Sequence, residues 1–418
     1  MVDKILEYFI TLTKIPHCSR DSDQLFRFLQ NFAKQRGYKV LTDSAKNILA
    51  KSKNPKIALQ AHYDMVCIGD APNIEVIKDG KWLKAKNSSL GADNGMAIAM
   101  MMVLMDMRKE GEFLFTADEE IGLIGASNLN INLESRELLN LDFEDEAKVC
   151  IGCAGGADIQ AYKRLVEVWP FKYIYRVEIS GLRGGHSGID IDKGIPNAIK
   201  LLGKFLKGKD INIAKFSGGE RINSIPTKAE AIISSKVKID GIDGVNLEPI
   251  DTNRTFYMAK DIIDMIDSFK NGVIAFNKDL NVVDRSLNLA LIDLVDGELK
   301  IEISVRGMID IGIDEVSQNS VEHLNSYGFE TRIEDKYPSW EPKVGDFARR
   351  VDSKMREVFG NSEFVAIHAG LECGVLSKRF LDIEISSIGP TILSPHSIYE
   401  KVDMNSVEKT FNLILKLI

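Results

Sequence analysis

Apolar residues in the first 170 positions follow two spacings. Some segments repeat an apolar residue every third or fourth position, as a helix with one buried face does, and others are short, continuous apolar runs. The first spacing predicts helices over 3–14 and 22–36, and the second predicts strands over 47–52, 56–64, 112–117 and 137–143. Residues 94–109 are predicted to form a strongly apolar helix after a Gly-containing turn, and residues 121–129 a short helix. Strands that alternate with buried helices indicate a largely parallel sheet covered on both faces.

The pattern changes near residue 172. The run LNLALIDLVDGELKIEISVRG is typical of a hairpin with an Asp-Gly turn at its centre. Helical spacing recurs at two places before Pro338, over 193–207 and 314–327. Hairpins beside helices indicate an inserted α+β domain.

After Pro338 the first pattern returns. It predicts helices over 346–359 and 404–417, with strands over 363–369 and 382–388. The expected fold is therefore α/β, with a mostly parallel sheet sandwiched by helices. Its main domain is discontinuous, 1–171 and 339–418, and residues 172–338 form the insert.

Composition narrows the class of protein. A chain of 418 residues favours two domains, and 44% apolar with 27% charged residues is typical of a soluble globular protein. A net charge of −8 argues against nucleic acid as a partner, and no run approaches the roughly 18 apolar residues of a membrane span. The N-terminal segment indicates an amphipathic helix and not a signal peptide. We therefore expect a cytoplasmic protein that binds neither nucleic acid nor membrane.

The five cysteines are odd in number and irregularly spaced, which suits a reducing cytoplasm. Cys150 and Cys153 form a single C-x-x-C in the string KVCIGCAGGAD. A redox pair or half of a zinc site is one interpretation. The favoured interpretation is that the two cysteines are small structural residues of a strand, because no second C-x-x-C exists.

Seven residues suited to metal or proton chemistry lie in short strings beside apolar runs. They are His62, Asp64, Asp93, Glu119, Glu120, Asp142 and His396. All but Asp93 and His396 lie at or just beyond the carboxyl ends of predicted strands, the edge where open α/β sheets bind ligands. A two-metal hydrolase needs a bridging carboxylate, a further pair of ligands for each metal and a spare carboxylate as base. This set supplies all of them.

The first part of this set has simpler explanations when each residue is taken alone. His62 and Asp64 form an H-x-D at a strand end, where residues two apart face the same side, so Asp64 can orient the imidazole. An ordinary surface pair is equally compatible with that string. Asp93, between glycines, can reach two cations, but it also suits a helix N-cap.

The later residues are ambiguous in the same way. Glu119 and Glu120 lie in a run of three acids, which is costly unless cations neutralise it, yet a solvated acidic turn fits too. Asp142 lies beside buried apolar positions, whereas the acids at 144–146 look like a solvated run. A single loop histidine such as His396 is usually not a ligand.

Taken in order, the set resembles the dinuclear zinc aminoacylase/carboxypeptidase family, whose members share H-x-D, D, E-E, D/E and H. The strings GADNG, GCAGGAD, GLRGGHSG, SLNL, IHAGLECG and SIGPTILSPHS resemble the aminoacyl-histidine dipeptidase subgroup, from about residue 8 to the C-terminus. The resemblance implies a zinc-exopeptidase-like main domain with an inserted lid or dimerisation domain.

The resemblance also implies a role for each residue. Asp93 would bridge two metals, with His62 and Asp142 on one and Glu120 and His396 on the other. Glu119 would be the general base, and Asp64 would orient His62. Zinc is the expected metal, with manganese or cobalt as alternatives.

Further residues are candidates for substrate contact. In the family a histidine like His186 reaches the site of the partner subunit and stabilises the oxyanion, which implies a homodimer. Arg306 can clamp a substrate carboxylate, Asn223 can contact substrate, and His368 and Glu372 can bind the free amino end. A turn, surface or core role is the alternative for each, and His17 and His323 are expected to be structural.

The expected function is metal-dependent hydrolysis of unblocked dipeptides, including those of the Xaa-His type. A deacylase acting on N-acyl amino acids would share every metal ligand. A catalytically inactive binding homologue would have lost a ligand or Glu119, and neither is lost here.

Overall fold

The computed structural model describes residues 1–418, which form two compact units. The main unit contains Met1–Cys153, Trp340–Ala366 and Leu371–Ile418. The inserted unit contains Ala154–Ser339 with Ile367–Gly370.

Helices and strands are numbered in chain order. The first part of the chain has α1 (Val2–Leu12), α2 (Asp23–Gln35), β1 (Lys39–Thr42), β2 (Ile48–Lys51), β3 (Ala58–His62), β4 (Val76–Asp79), β5 (Trp82–Ala85), α3 (Ala92–Asp106), β6 (Glu112–Thr116), α4 (Ile124–Ser127), β7 (Glu137–Asn140) and β8 (Lys148–Cys153). The middle part has β9 (Gly155–Arg164), β10 (Glu167–Val168), β11 (Tyr173–Ile179), β12 (Gly185–His186), α5 (Ala198–Leu206), β13 (Ile211–Gly218), β14 (Ser224–Ile225), β15 (Ala229–Ser235), β16 (Asn246–Pro249), β17 (Phe256–Met258), α6 (Lys260–Ser268), β18 (Gly272–Asn277), β19 (Val282–Val295), β20 (Glu298–Gly307), α7 (Asp310–Ser326) and β21 (Glu330–Tyr337). The last part has α8 (Asp346–Phe359), β22 (Glu363–Ile367), α9 (Glu372–Arg379), β23 (Glu384–Ser387), β24 (Ile392–Leu393), β25 (Lys401–Asp403) and α10 (Met404–Leu417).

The main unit is built on an eight-stranded sheet in the order β1-β2-β6-β3-β7-β23-β8-β22. Its central strands β6, β3, β7 and β23 are parallel, and β1, β2 and β8 pair antiparallel. The parallel strands are almost wholly buried, as is typical of parallel strands, although about half of their residues are polar. Residues from Gly95 to Met105 of α3 are all buried, which explains why this helix is apolar on every side. The predicted fold class, α/β with a mostly parallel sheet, is confirmed.

The inserted unit is built on an eleven-stranded sheet whose named pairs are all antiparallel. Residues alternate between its faces, so Ile301 and Ile303 of β20 lie in the apolar core while Ser304 and Arg306 lie on the other face. The hairpin of β19 and β20 turns at Asp296 and Gly297, both with positive φ, as the Asp-Gly turn predicts.

Two details of the insert differ from the sequence prediction. The inserted unit starts at Ala154 and not at 172, because β9 pairs along its length with β20 and β21. The insert also has a third helix, α6, which the prediction of two helices missed. Ile262, Ile263 and Ile266 of α6 are buried at helical spacing.

The cysteines also differ in part from expectation. Cys18 and Cys67 form a disulfide, although 49 residues separate them, because Cys18 lies beside Met65 in a short β-bridge. The odd number and irregular spacing of the cysteines therefore gave no indication of this disulfide. Cys150 and Cys153 are buried free thiols in β8, as the structural interpretation of the C-x-x-C predicts. No helix is both long and apolar enough to cross a membrane.

Candidate metal centre

Strand ends and loops of the main unit bring the metal-binding candidates together. His62 ends β3, Asp93 lies in the first turn of α3, Glu119 and Glu120 follow β6, Asp142 follows β7, and His396 lies between β24 and β25. Their ligand atoms form three groups, each within 4.8 Å: His62 with Asp93 and Asp142, His62 with Glu119 and Glu120, and Asp93 with Glu120 and His396. All but His396 have side chains that are largely buried.

Asp93 lies between the two histidines. Its Oδ1 is 3.1 Å from Nε2 of His62, and its Oδ2 is 2.9 Å from Nε2 of His396. The same nitrogen of His62 is 3.2 Å from Oδ1 of Asp142, and that of His396 is 2.9 Å from Oε2 of Glu120. The donors thus form two triads that share one carboxylate, with one Asp93 oxygen directed to each.

Asp64 contacts its neighbours in two ways. Its main-chain carbonyl lies 3.0 Å from Nδ1 of His62, whereas its carboxylate is 3.6 Å away, so the carbonyl accepts the ring hydrogen bond. That bond leaves Nε2 of His62 as the ligand atom. The Asp64 carboxylate accepts instead from Ser19 Oγ at 2.7 Å and from the main-chain N–H groups of Glu119 and Glu120 at 2.9 and 3.4 Å. Asp64 therefore holds the turn that carries both glutamates.

The charge balance of the site favours bound cations. Burial raises the pKa of Glu119 well above its usual value, although His62 opposes the change, and the carboxylate of Glu120 raises it further. Burial likewise raises the pKa of Glu120 to about 7, with Asp93 adding to the effect. Oε1 of Glu120 is buried and has no hydrogen-bond partner. Histidine and carboxylate donors in this proportion suit zinc and similar divalent ions.

Glu144 belongs to this environment, although its sequence context suggests a solvated run. It is half-buried, and burial, followed by the charges of Asp93 and Asp142, raises its pKa well above the usual range. The available signal was its two-residue spacing from Asp142. Ser19, which donates to Asp64, is 45 residues distant along the chain, and no sequence pattern marks it.

No protein-family model matches the chain. It is 33% identical to the cytosol non-specific dipeptidase of Escherichia coli strain K12 over an alignment of 473 positions, gaps included, which covers 99% of this chain and 96% of that protein. The chain belongs to this family of dipeptidases. A solved structure, that of an aminoacylhistidine dipeptidase from Vibrio alginolyticus, superposes with a TM-score of 0.83 at 28% identity, covering 99% of this chain and 96% of that one.

More distant structures share the fold alone. The M20 family metallo-carboxypeptidase of Sulfolobus solfataricus has a TM-score of 0.54 at 11% identity and covers 98% of this chain and 97% of its own. The predicted resemblance to aminoacyl-histidine dipeptidases is confirmed, and the chain is a hydrolase of the dipeptidase type.

In this dipeptidase family member, His186 lies on the short ribbon of β12 and β14, in the inserted unit. Its Nδ1 accepts from the main-chain N–H groups of Gly188 and Ile189, at 3.1 and 3.2 Å. An accepting Nδ1 requires the proton of the neutral ring to lie on Nε2, so Nε2 is a donor. Asn223 is exposed on the same ribbon, and its carbonyl accepts from the N–H of Ser187.

Arg306 and His368 are buried in the inserted unit. Arg306 donates from Nη1 to Tyr337 Oη at 2.8 Å, and its Nε is buried without a partner. His368 pairs through Nε2 with Ser286 Oγ at 2.7 Å, and its Nδ1 has no partner. Buried polar atoms without partners are unusual, and they suit a site that receives a polar ligand.

Glu372 lies in the main unit and is fully buried. Its Oε2 accepts from Gln60 and from Thr116 Oγ1, and Gln60 also pairs with Asn140. Gln60 lies on β3, Thr116 on β6 and Asn140 on β7. Each of the three precedes a metal-site residue by two or three positions. Glu372 therefore lies in a buried polar network with residues of β3, β6 and β7, and its Oε1 is buried without a hydrogen-bond partner.

Proposed function

We propose that the enzyme hydrolyses unblocked dipeptides, including those of the Xaa-His type, with two divalent cations in the main unit. The observation that carries this proposal is the position of Asp93, whose two carboxylate oxygens each face an imidazole of a separate donor triad. The name of the relative from Escherichia coli and that of the structure from Vibrio alginolyticus both support a dipeptide substrate.

The proposed ligands are divided between two positions. His62 and Asp142 would hold one cation, Glu120 and His396 the other, and Asp93 both. Bound cations of this kind lower the pKa of a shared water and polarise the scissile carbonyl. Zinc is the first choice for mixed histidine and carboxylate donors, with manganese or cobalt as alternatives.

Glu119 is the proposed general base. It lies in the turn that Asp64 holds, and its raised pKa suits a carboxylate that accepts a proton and later releases it. Its carboxylate takes a proton from the attacking water and passes it to the nitrogen of the leaving amine. Asp64 contributes by orienting His62 through its carbonyl and the Glu119 turn through its carboxylate.

The inserted unit supplies the proposed substrate contacts. Nε2 of His186, the protonated ring nitrogen, is suited to donate to the oxyanion of the tetrahedral intermediate in the partner subunit of a homodimer. Arg306 would bind the C-terminal carboxylate of the substrate, for which its buried, unpaired Nε gives support. Asn223 and His368 are proposed to contact the substrate beside them.

The alternative activity is removal of the acyl group from N-acyl amino acids. It would use the same ligands and the same base, so the metal site does not discriminate. The similarity to dipeptidases over nearly the whole chain favours the peptide substrate.

A release assay separates the two activities. Purified enzyme with fixed zinc or manganese is given β-Ala-His, Gly-His and other free dipeptides, with N-acetyl amino acids in parallel. Cleavage of the free dipeptides is expected. Cleavage of the acetylated compounds alone would move the function to deacylation, and metal binding without cleavage of either would indicate an inactive homologue.

A further inference from the structure

The carboxylate of Glu400 lies beneath the loop that presents Asp93. Its Oε2 accepts from the main-chain N–H groups of Leu90 and Gly91 at 2.7 and 3.1 Å. Its Oε1 accepts from those of Ala92 and Asp93 at 2.7 and 3.3 Å. One side chain therefore binds four successive amides, the last of which belongs to the proposed bridging residue.

This carboxylate is deeply buried. Glu400 is 2% exposed, and the four N–H donors take the place of water around both of its oxygens. The four donors precede the regular part of α3, because Asp93 and Asn94 have non-helical backbone angles. The bonds also fix a loop in which Gly91 has a φ of +73°, a left-handed conformation that glycine adopts readily.

Glu400 also belongs to the segment that presents His396. It lies four residues further along, immediately before β25, and its N–H donates to the carbonyl of Ser397. His396 itself has a φ of +55°, uncommon for a residue other than glycine, so its loop must be held by its surroundings. Glu400 thus connects two loops that are about 300 residues apart and whose side chains meet, with His396 Nε2 at 2.9 Å from Asp93 Oδ2.

We propose that Glu400 is a positioning residue that holds the Asp93 and His396 loops in the arrangement required by both cations. This proposal rests on the dinuclear centre proposed above. A metal ligand must be held within about 0.5 Å of its working position, and four hydrogen bonds to the main chain of one ligand loop can provide that. Without Glu400 the loops lose their connection, and cation binding weakens before the fold is lost.

The chain offers a matched control for the loss of a buried carboxylate. Glu112 is fully buried, and its carboxylate accepts from the N–H groups of Glu134 and Ser135 at 2.8–3.0 Å. Glu112 begins β6, whereas the metal-site glutamates follow the end of that strand. Glu112→Gln therefore removes a similar set of charged hydrogen bonds at the opposite end of the strand from the metal site.

The test compares Glu400→Gln, Glu400→Asp and Glu112→Gln with wild type. Metal-stripped proteins are titrated with Zn²⁺ by calorimetry and with Co²⁺ by its visible absorption, which reports coordination geometry without turnover. For Glu400→Gln we expect roughly 10–100-fold weaker binding of at least one cation and an altered Co²⁺ spectrum. Glu400→Asp should lie between Glu400→Gln and wild type. Glu112→Gln should bind both cations as wild type does, even if its melting temperature falls equally.

Unchanged Zn²⁺ affinity and Co²⁺ spectra in both folded Glu400 variants would overturn the proposal and leave Glu400 with a role in loop stability alone. A wild-type enzyme that binds fewer than two cations would instead overturn the dinuclear centre.

A measurement on the wild-type protein tests the proposal even if the Glu400 variants do not fold. Hydrogen exchange in the metal-free enzyme should show slow exchange at the amides of residues 90–93, because Glu400 already binds them. Fast exchange there until metal is added would contradict the proposal.

Discussion

At the scale of single residues, the side chains proposed to bind the cations differ from the one proposed to accept a proton. Glu119 belongs to a donor group with His62 and Glu120, yet it makes none of the short contacts to an imidazole that Asp93, Glu120 and Asp142 make. Glu119→Gln should therefore keep both cations and lose kcat by between about 10² and 10⁴-fold, the usual contribution of a general base. Metal analysis and steady-state kinetics on the same preparation test this, with the exposed Glu110→Gln as control. Normal turnover in Glu119→Gln would remove the assignment.

Asp64 allows a second residue-scale prediction, because its carbonyl and its carboxylate act on different partners. Asp64→Asn keeps the carbonyl that fixes His62, so cation content should stay near that of wild type. It weakens the acceptor for the Glu119 and Glu120 amides, so kcat should fall by about 10–100-fold. Loss of a cation in Asp64→Asn would show that the Asp64 carboxylate, whose Oδ1 is 3.6 Å from Nδ1 of His62, orients this imidazole.

At the scale of elements, the sheet explains why much of the site could be predicted from sequence. His62, Glu119 and Asp142 lie at or just beyond the carboxyl ends of buried strands, and parallel strands place those ends along one edge. Glu400 and Ser19 had no such pattern, because their hydrogen-bond partners are distant in the sequence. Glu400 accepts from main-chain N–H groups and Ser19 donates to the Asp64 side chain. For Glu372 the sequence left substrate contact and a buried network both open, and the partners in its network are recognisable only in the fold.

The close approach of β23 to the segment after β7 yields an element-scale prediction. A Cβ on Gly389, just beyond β23, would lie 1.5 Å from the carbonyl oxygen of Phe143, the residue after Asp142. Gly389→Ala must therefore move main chain beside a proposed ligand. We expect a loss of about 1–3 kcal/mol in the free energy of unfolding, together with weaker Zn²⁺ binding. Gly241→Ala, where a Cβ would meet nothing within 4 Å, is the control and should change neither. Wild-type stability in Gly389→Ala would show that the segment can relax without cost.

At the scale of the whole molecule, the order of helices and strands predicts the sheet of the main unit and the existence of an insert. The start of the insert was misplaced because β9 directly follows β8, and both are largely buried strands. Only long-range pairing with β20 and β21 assigns β9 to the insert, and such pairing is not encoded in local periodicity. The Cys18–Cys67 disulfide was missed for the same reason, since it joins segments that only the fold brings together.

The stability of the whole chain in acid follows from a histidine that the fold keeps neutral. Burial of His368, together with the nearby charge of Arg306, lowers its pKa from 6.5 to about 3. As the pH falls below 6.5, the unfolded chain binds a proton at this position that the folded chain does not, so stability is lost towards acid. As the pH falls from about 7 to about 5, this one group should lower the free energy of unfolding of the wild-type enzyme by about 2 kcal/mol. His368→Asn removes the proton site, so its free energy of unfolding should fall less steeply over that interval. Urea unfolding of both proteins at several pH values measures the difference, and parallel curves would mean that His368 is protonated in the folded enzyme.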